Sequence, residues 1–194
     1  MTAQAGGAAL RRQVRAARRR LSPSDRVSAN AAILAHIKSM PAFRAARRIA
    51  LFFAFDGEPD LSPLIRFDQR KEFFAPIISR TEMHFAAVGR ETSLEANFFG
   101  IPEPQPPELI DPRALDLVLT PLVAFDHRGN RVGVGAGYYD RCFAFLRRRK
   151  SWFKPKLVGT AYSLQRVDPI EANPWDVPLW GAITETGFEG FNRK

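Results

Sequence analysis

The chain is poor in the residues that staple small domains or hold metals by themselves. It has one cysteine in 194 residues, so no internal disulfide can form, and no CxxC or His/Cys cluster is present to hold zinc. His36, His84 and His127 share no spacing that suggests a metal site or a catalytic triad. No apolar run reaches the roughly 18 residues that a membrane span needs. The arginine-rich N-terminal stretch has no apolar segment behind it, so no signal peptide is expected. Neither a GK[ST] loop nor a G-x-G-x-x-G pattern occurs, and both common nucleotide fingerprints go unmatched. These absences exclude a secreted disulfide scaffold, a zinc finger and a membrane span, and they fit a cytoplasmic enzyme.

Acids are scarce at one end. Residues 1–50 hold 11 Lys/Arg and one acid, Asp25, whereas the rest of the chain holds 18 Lys/Arg and 19 acids. The whole excess of +9 therefore arises in the first quarter. A solvated helical face, a funnel for a small polyanion and a nucleic-acid surface all produce such a bias. The third is the weakest, because no aromatics interleave with the arginines. The length suits one domain over 1–194, able to bury about 70% of its unfolded surface.

Residues 1–9 are rich in Gly and Ala and are expected to fray. Leu10, Val14, Ala17 and Leu21 recur at helical spacing. Ser22-Pro23-Ser24-Asp25 reads as an N-cap and first turn. A second helix is expected from there to Met40, burying Val27, Ala31, Leu34 and Ile37, so N-terminal helices fill 10–40. The apolar run 49–55 predicts a strand buried on both faces, followed by a turn at Asp56-Gly57-Glu58-Pro59. A helix is expected near 60–63, strands over 73–78 and 83–88, and an extended proline-rich connection over 97–112. Residues 117–125 predict another strand, broken at Pro121; 138–150 predict a helix, and 157–162 and 182–185 the last strands. Alternating strands and helices favour a three-layer α/β/α domain with a mostly parallel sheet. Cys142 is read as a packing residue, and Trp152, Trp175 and Trp180 as loop packing.

One stretch points to chemistry. Gly133, Gly135 and Gly137 alternate directly before the helix that starts at Tyr138. Glycines let the backbone N–H groups close on an anion, and a helix N-terminus behind them adds partial positive charge. By itself the pattern serves equally as a tight turn. Tyr138 and Tyr139 can line a flat heterocycle, and Asp140 beside a phosphate suits Mg²⁺, although an acid in a first helical turn is also common.

The segments DLVLTPLVAFD and GNRVGVGAGYYDR, within Asp116–Arg141, resemble the signature of the 5-formyltetrahydrofolate cyclo-ligase family. Leu10-Arg11 with Leu21-Ser22, FFAFDGEPDLSPLI over Phe52–Ile65, Phe98–Pro104 and Asn173–Leu179 agree with it in order and spacing. The likeness runs from Leu10 to Glu185. It implies ATP-dependent closure of 5-formyltetrahydrofolate to 5,10-methenyltetrahydrofolate through a phosphorylated formyl oxygen, with release of ADP and phosphate. It further implies that Arg11 and the run Arg131, Val132, Gly133, Val134, Gly135, Ala136, Gly137, Tyr138 and Tyr139 hold ATP. Val134 through Tyr138, with Phe53 and Glu58, would hold the folate. Asp140 and Asp176 would hold Mg²⁺, and Glu58, Arg131 and Tyr139 would carry the chemistry. Phe53 serves equally as a core residue and Glu58 as a turn residue; for Asp176 the resemblance favours the metal role over that of an exposed acid. Gly7 replaces a lysine common in the family, and Ala136 a glycine or lysine. Those departures keep open a catalytically impaired paralogue that binds folate or RNA. A monomer acting on small molecules is the expected form, with no membrane or nucleic-acid partner.

Overall fold

Alternating side chains on five parallel strands build the centre of the structure. The computed structural model describes residues 2–149 and 154–191. Three helices come first, α1 Thr2–Arg19, α2 Pro23–Ser39 and α3 Pro41–Ala45. Strands β1 Arg48–Ala50, β2 Glu72–Ile78 and β3 Met83–Val88 follow. Then come β4 Ser93–Ala96, β5 Pro102–Gln105, β6 Leu109–Ile110, β7 Leu117–Pro121, β8 Ala124–Phe125 and β9 Arg131–Val132. Helix α4 Tyr138–Cys142 precedes β10 Lys156–Thr160, β11 Gly181–Thr184 and β12 Gly187–Gly190. The main sheet has the order β12-β11-β10-β7-β1-β2-β3-β6. Its five central strands, β11 to β2, are parallel, and β12, β3 and β6 are antiparallel.

The strand period of two sorts the apolar residues into two cores. Ile49, Phe73, Leu117, Leu119, Val158 and Ile183 face Ile33, Ile37 and Phe43 of α2 and α3. Ala50, Phe74, Val118, Leu157 and Ala182 face Phe143, Leu146, Val177 and Leu179 on the opposite side. This is the expected three-layer arrangement. A third cluster joins Val14 of α1 to Val123, Ala124 and Val132. It packs α1 on the β8–β9 hairpin, beside the carboxyl end of the sheet. Among the described residues, no helix is long and apolar enough to cross a membrane.

Several expected elements shift. Helix α1 begins at Thr2, well ahead of Leu10. In α2 the buried face carries Ile33 and Ile37, while Val27 is 70% exposed and Ala31 faces solvent. The helix is rotated because polar residues on its inner side find partners. Arg26 donates to the Gly57 carbonyl at 2.6 Å, and Tyr162 Oη donates to Asn30 Oδ1 at 2.9 Å. Strand β1 stops at Ala50; the Leu51 N–H still donates to the Phe74 carbonyl at 2.9 Å, and residues 52–55 leave the ladder. The expected strand over 117–125 divides at Pro121 into β7 and β8, and β8 pairs back on β9. The proline-rich connection contributes β5 and β6, and β5 pairs with β4. Helix α4 spans five residues and continues as a 3₁₀ turn over Ala144–Arg148. Lys150 and Trp152 lie outside the described residues.

Candidate active site

Strand order reverses between β1 and β7. The chain moves from β1 outward to β2 on one side, and later to β7 and β10 on the other. Neighbouring connections diverge at such a point, and ligands bind in the crevice beyond the carboxyl ends of the strands. Here a cavity of about 1870 Å³ opens at that position. Phe52, Phe53 and Glu58 after β1, Pro121 and Leu122 at the end of β7, and the 131–141 segment line it, with Arg11 and Arg15 of α1 at one wall. A cavity for one drug-sized ligand measures roughly 300–1,000 Å³. This one has room for two.

Every residue singled out in the sequence lines this cavity: Arg11, Phe53, Glu58, the run 131–140 and Asp176. Gly137 has φ +66° and Gly135 φ +117°, so the loop needs glycine at both. Gly133 has no such φ, and a Cβ there would meet no protein atom within 4 Å. Neither strain nor packing calls for glycine at 133, and the space beside it is free for a ligand. Arg11 Nε donates to the Gly133 carbonyl at 2.8 Å, which brings α1 onto the loop. Arg141 holds the other end through the Ala136 carbonyl at 2.6 Å. Val134 is 60% exposed, whereas the Val132 side chain is committed to the α1 core. Helix α4 is too short for much dipole, so the loop's backbone N–H groups and the arginines supply the positive field.

Asp140 and Arg131 form one unit. Arg131 Nη2 donates to Asp140 Oδ1 at 2.7 Å, and its other terminal nitrogen donates to the Val177 carbonyl. The Val177 N–H donates to the same Asp140 oxygen at 3.0 Å. Asp140 is thus tied to the residue that follows Asp176. Asp176 Oδ2 accepts from the Asn173 N–H at 2.8 Å and from its side-chain amide at 3.2 Å. Among the described residues, no group of three or more His, Cys, Asp or Glu could hold a metal. Two carboxylates at one corner of a cavity suit Mg²⁺, which completes its shell with water and phosphate oxygens.

Tyr139 is more structural than its sequence position suggests. Its ring stacks on Phe143, 6.3 Å between centroids, and meets Phe85 edge-on. Its hydroxyl is buried without a partner among the described residues, and burial raises the phenol above its ordinary value. The Arg141 guanidinium lies 5.1 Å from the Tyr138 ring. Trp175, expected to pack a loop, is 60% exposed on the cavity wall. Cys142 fits the packing assignment, since burial pushes its thiol up to about 12.

Glu58 is 8% exposed and accepts from the Phe55 N–H at 3.2 Å. Burial pushes its carboxyl up to about 7, against the opposing pull of the Arg18 charge and of that N–H. The sequence did not flag its neighbour Asp56. Asp56 sits at φ +52° and takes Arg15 at 2.6 Å, Arg18 at 3.1 Å and Arg19 on one carboxylate. Burial alone would lift that carboxyl, but hydrogen bonds from Arg15 and Arg19 and the nearby guanidinium charges hold it below its ordinary value. The spacing of Arg11, Arg15 and Arg18 at four and three residues was the available signal, since it places all three on one helix face. Part of the basic N-terminal excess is therefore an internal clamp.

Comparison with known proteins agrees with this geometry. Residues 3–185 match the 5-formyltetrahydrofolate cyclo-ligase family. The Haemophilus influenzae 5-formyltetrahydrofolate cyclo-ligase is 34% identical over 181 residues, covering 90% of this chain and 95% of that protein. The solved structure of Aquifex aeolicus 5,10-methenyltetrahydrofolate synthetase superposes with a TM-score of 0.84 at 32% identity, covering 97% of this chain and 94% of that one. The Mycoplasma pneumoniae 5,10-methenyltetrahydrofolate synthetase gives 0.73 at 27% identity, covering 92% and 98%. With its cavity at the sheet's switch point and a match over nearly its whole length, the chain belongs to the 5-formyltetrahydrofolate cyclo-ligase family.

Proposed function

We propose that this single domain closes 5-formyltetrahydrofolate to 5,10-methenyltetrahydrofolate with ATP as co-substrate, releasing ADP and phosphate. The observation that carries this is the glycine loop at 133–137, which shares one cavity with the buried Glu58. A formamide oxygen is a poor leaving group. Transfer of the γ-phosphoryl group to it makes an imidate-type phosphate. N10 of the same folate then attacks the formyl carbon, the C–O bond breaks, and the oxygen departs as phosphate. Attack within one bound molecule gains from proximity. N10 loses its proton in this step, and the Glu58 carboxylate accepts it.

The loop amides and Arg11 hold the phosphates, and Arg131 keeps Asp140 in place while adding positive charge. Phe53 and Tyr138 flank the folate, and the Tyr139 ring supports the cavity floor. Asp140 and Asp176 would hold Mg²⁺, which when bound neutralises phosphate charge. We take the working unit to be one cytoplasmic copy. A non-catalytic RNA-binding role has less support, since Arg15, Arg18 and Arg19 already face Asp56.

Formation of the methenyl-folate chromophore in the presence of ATP and Mg²⁺ tests the reaction; absence of any ATP-dependent signal with active substrate would refute it. The pH dependence is specific. The Glu58 carboxylate fraction of the free protein rises with pH through about 7, so kcat/KM should climb about tenfold per unit on the acid side and level off above that value. Glu58→Gln should abolish that limb.

A further inference from the structure

We propose that Arg18 is a positioning residue for this reaction, a buried guanidinium that fixes both the place and the charge of the Glu58 carboxylate. The inference rests on the role given to Glu58 above. Arg18 is 1% exposed, although a charged side chain is almost never so buried unless it is paired. Its Nε donates to the Asp56 carbonyl at 3.1 Å, Nη2 to Asp56 Oδ2 at 3.1 Å, and Nη1 to the Leu122 carbonyl at 3.4 Å. One planar group thereby joins α1, the turn after β1 and the end of β7. Nη1 also lies 3.8 Å from Glu58 Oε1. That range is one of charge attraction rather than a hydrogen bond.

Arg18 is absent from the lining of the cavity, whereas Glu58 belongs to it. Any effect of Arg18 on bound ligands must therefore pass through its neighbours. Holding α1 in place does not by itself require this residue, since Val14 packs on Val123, Ala124 and Val132 and Arg11 bonds the Gly133 carbonyl. Three guanidiniums share the Asp56 carboxylate, and the charge of two of them, Arg18 and Arg15, reaches Glu58. The groups acting on Glu58 are Arg18 and Arg15 from α1, Asp56 and the Phe55 N–H from its own turn, with Tyr139 of α4 in its field. Arg18 opposes the effect of burial, and Asp56 adds to it.

Removing Arg18 and removing Asp56 must therefore move Glu58 in opposite directions. The test follows the Glu58 carboxyl by ¹³C NMR titration of the ligand-free protein, with the signal assigned by its loss in Glu58→Gln. The acid limb of kcat/KM for the folate and the KM for ATP are measured in parallel. Arg18→Met should raise both the titration and the limb by roughly one pH unit or more, leaving the KM for ATP unchanged. Arg18→Lys, which keeps the charge without the fork, should fall between that variant and wild type. Asp56→Asn keeps the side-chain shape and should lower both. It also carries the test if Arg18→Met does not fold. In a Glu58→Gln background, Arg18→Met should add no further loss of kcat. A Glu58 titration that stays put in Arg18→Met, or one that fails to fall in Asp56→Asn, overturns the inference. A titration that moves while the kcat/KM limb does not upholds the hold of Arg18 on Glu58 and counts instead against the proton step assigned to Glu58.

Discussion

On the proposed role of Asp140 in holding Mg²⁺, Asp140→Asn is expected to lower kcat by about 10²-fold or more, because weaker metal binding forfeits part of the several kcal/mol of transition-state charge stabilisation that a metal supplies. The variant keeps the side-chain shape, so the Val177 N–H and Arg131 retain an oxygen to donate to. What disappears is the negative charge, at a site where Arg131 is 6% exposed. Stability should fall by only about 1–3 kcal/mol, the usual size for weakening a hydrogen bond to a charged group. The methenyl-folate assay gives the first quantity and thermal unfolding the second. Near-wild-type turnover at ordinary Mg²⁺ would remove Asp140 from the reaction.

The second large effect is on folding. Asp56→Ala should destabilise the protein by about 3 kcal/mol, since it takes the nearest carboxylate from the buried Arg18 and leaves it Glu58 at 3.8 Å and two backbone carbonyls. Arg15 and Arg19 contribute little to that figure; their side chains are 35% and 61% exposed, and water screens such pairs. The backbone adds to the loss. Alanine in the left-handed region occupied by Asp56 costs about 1–2 kcal/mol, whereas aspartate and asparagine tolerate it. Chemical denaturation of Asp56→Ala and Asp56→Asn separates the two contributions. Equal stabilities for wild type and Asp56→Ala would show that the clamp is incidental.

The contrast between Glu58 and Asp56 shows which parts of the site could be read from sequence. The glycines, Tyr138 and Asp140 lie within eight residues of one another, so local spacing exposes them. Arg131 is only nine residues from Asp140, but the other partner of Asp140 and those of Asp56 lie far away in the chain. Val177 is 37 residues from Asp140, and Arg18 is 38 from Asp56, so only the fold brings them together. Strands with continuous apolar runs, such as Phe73–Ile78 and Leu117–Thr120, were legible because both faces are buried. Residues 52–55 are equally apolar yet leave the sheet, and no local pattern marks where the ladder ends. The buried face of α2 misled for a related reason. Arg26 and Asn30 turn inward to bond Gly57 and Tyr162, and a hydrophobic stripe assigns polar residues to solvent.

Gly133 offers a place where ligand binding can be changed without disturbing the fold. Its φ suits any residue, and a Cβ there meets no protein atom within 4 Å, so Gly133→Ala should leave stability within about 0.5 kcal/mol of wild type. If the loop amides close on a triphosphate, the added methyl group intrudes where the phosphates sit. Calorimetric titration with Mg²⁺ and a non-hydrolysable ATP analogue should then show affinity reduced about tenfold or more, the loss of one charge-assisted hydrogen bond. Unchanged affinity in a variant that unfolds at the wild-type temperature would contradict the assignment of this loop to the nucleotide.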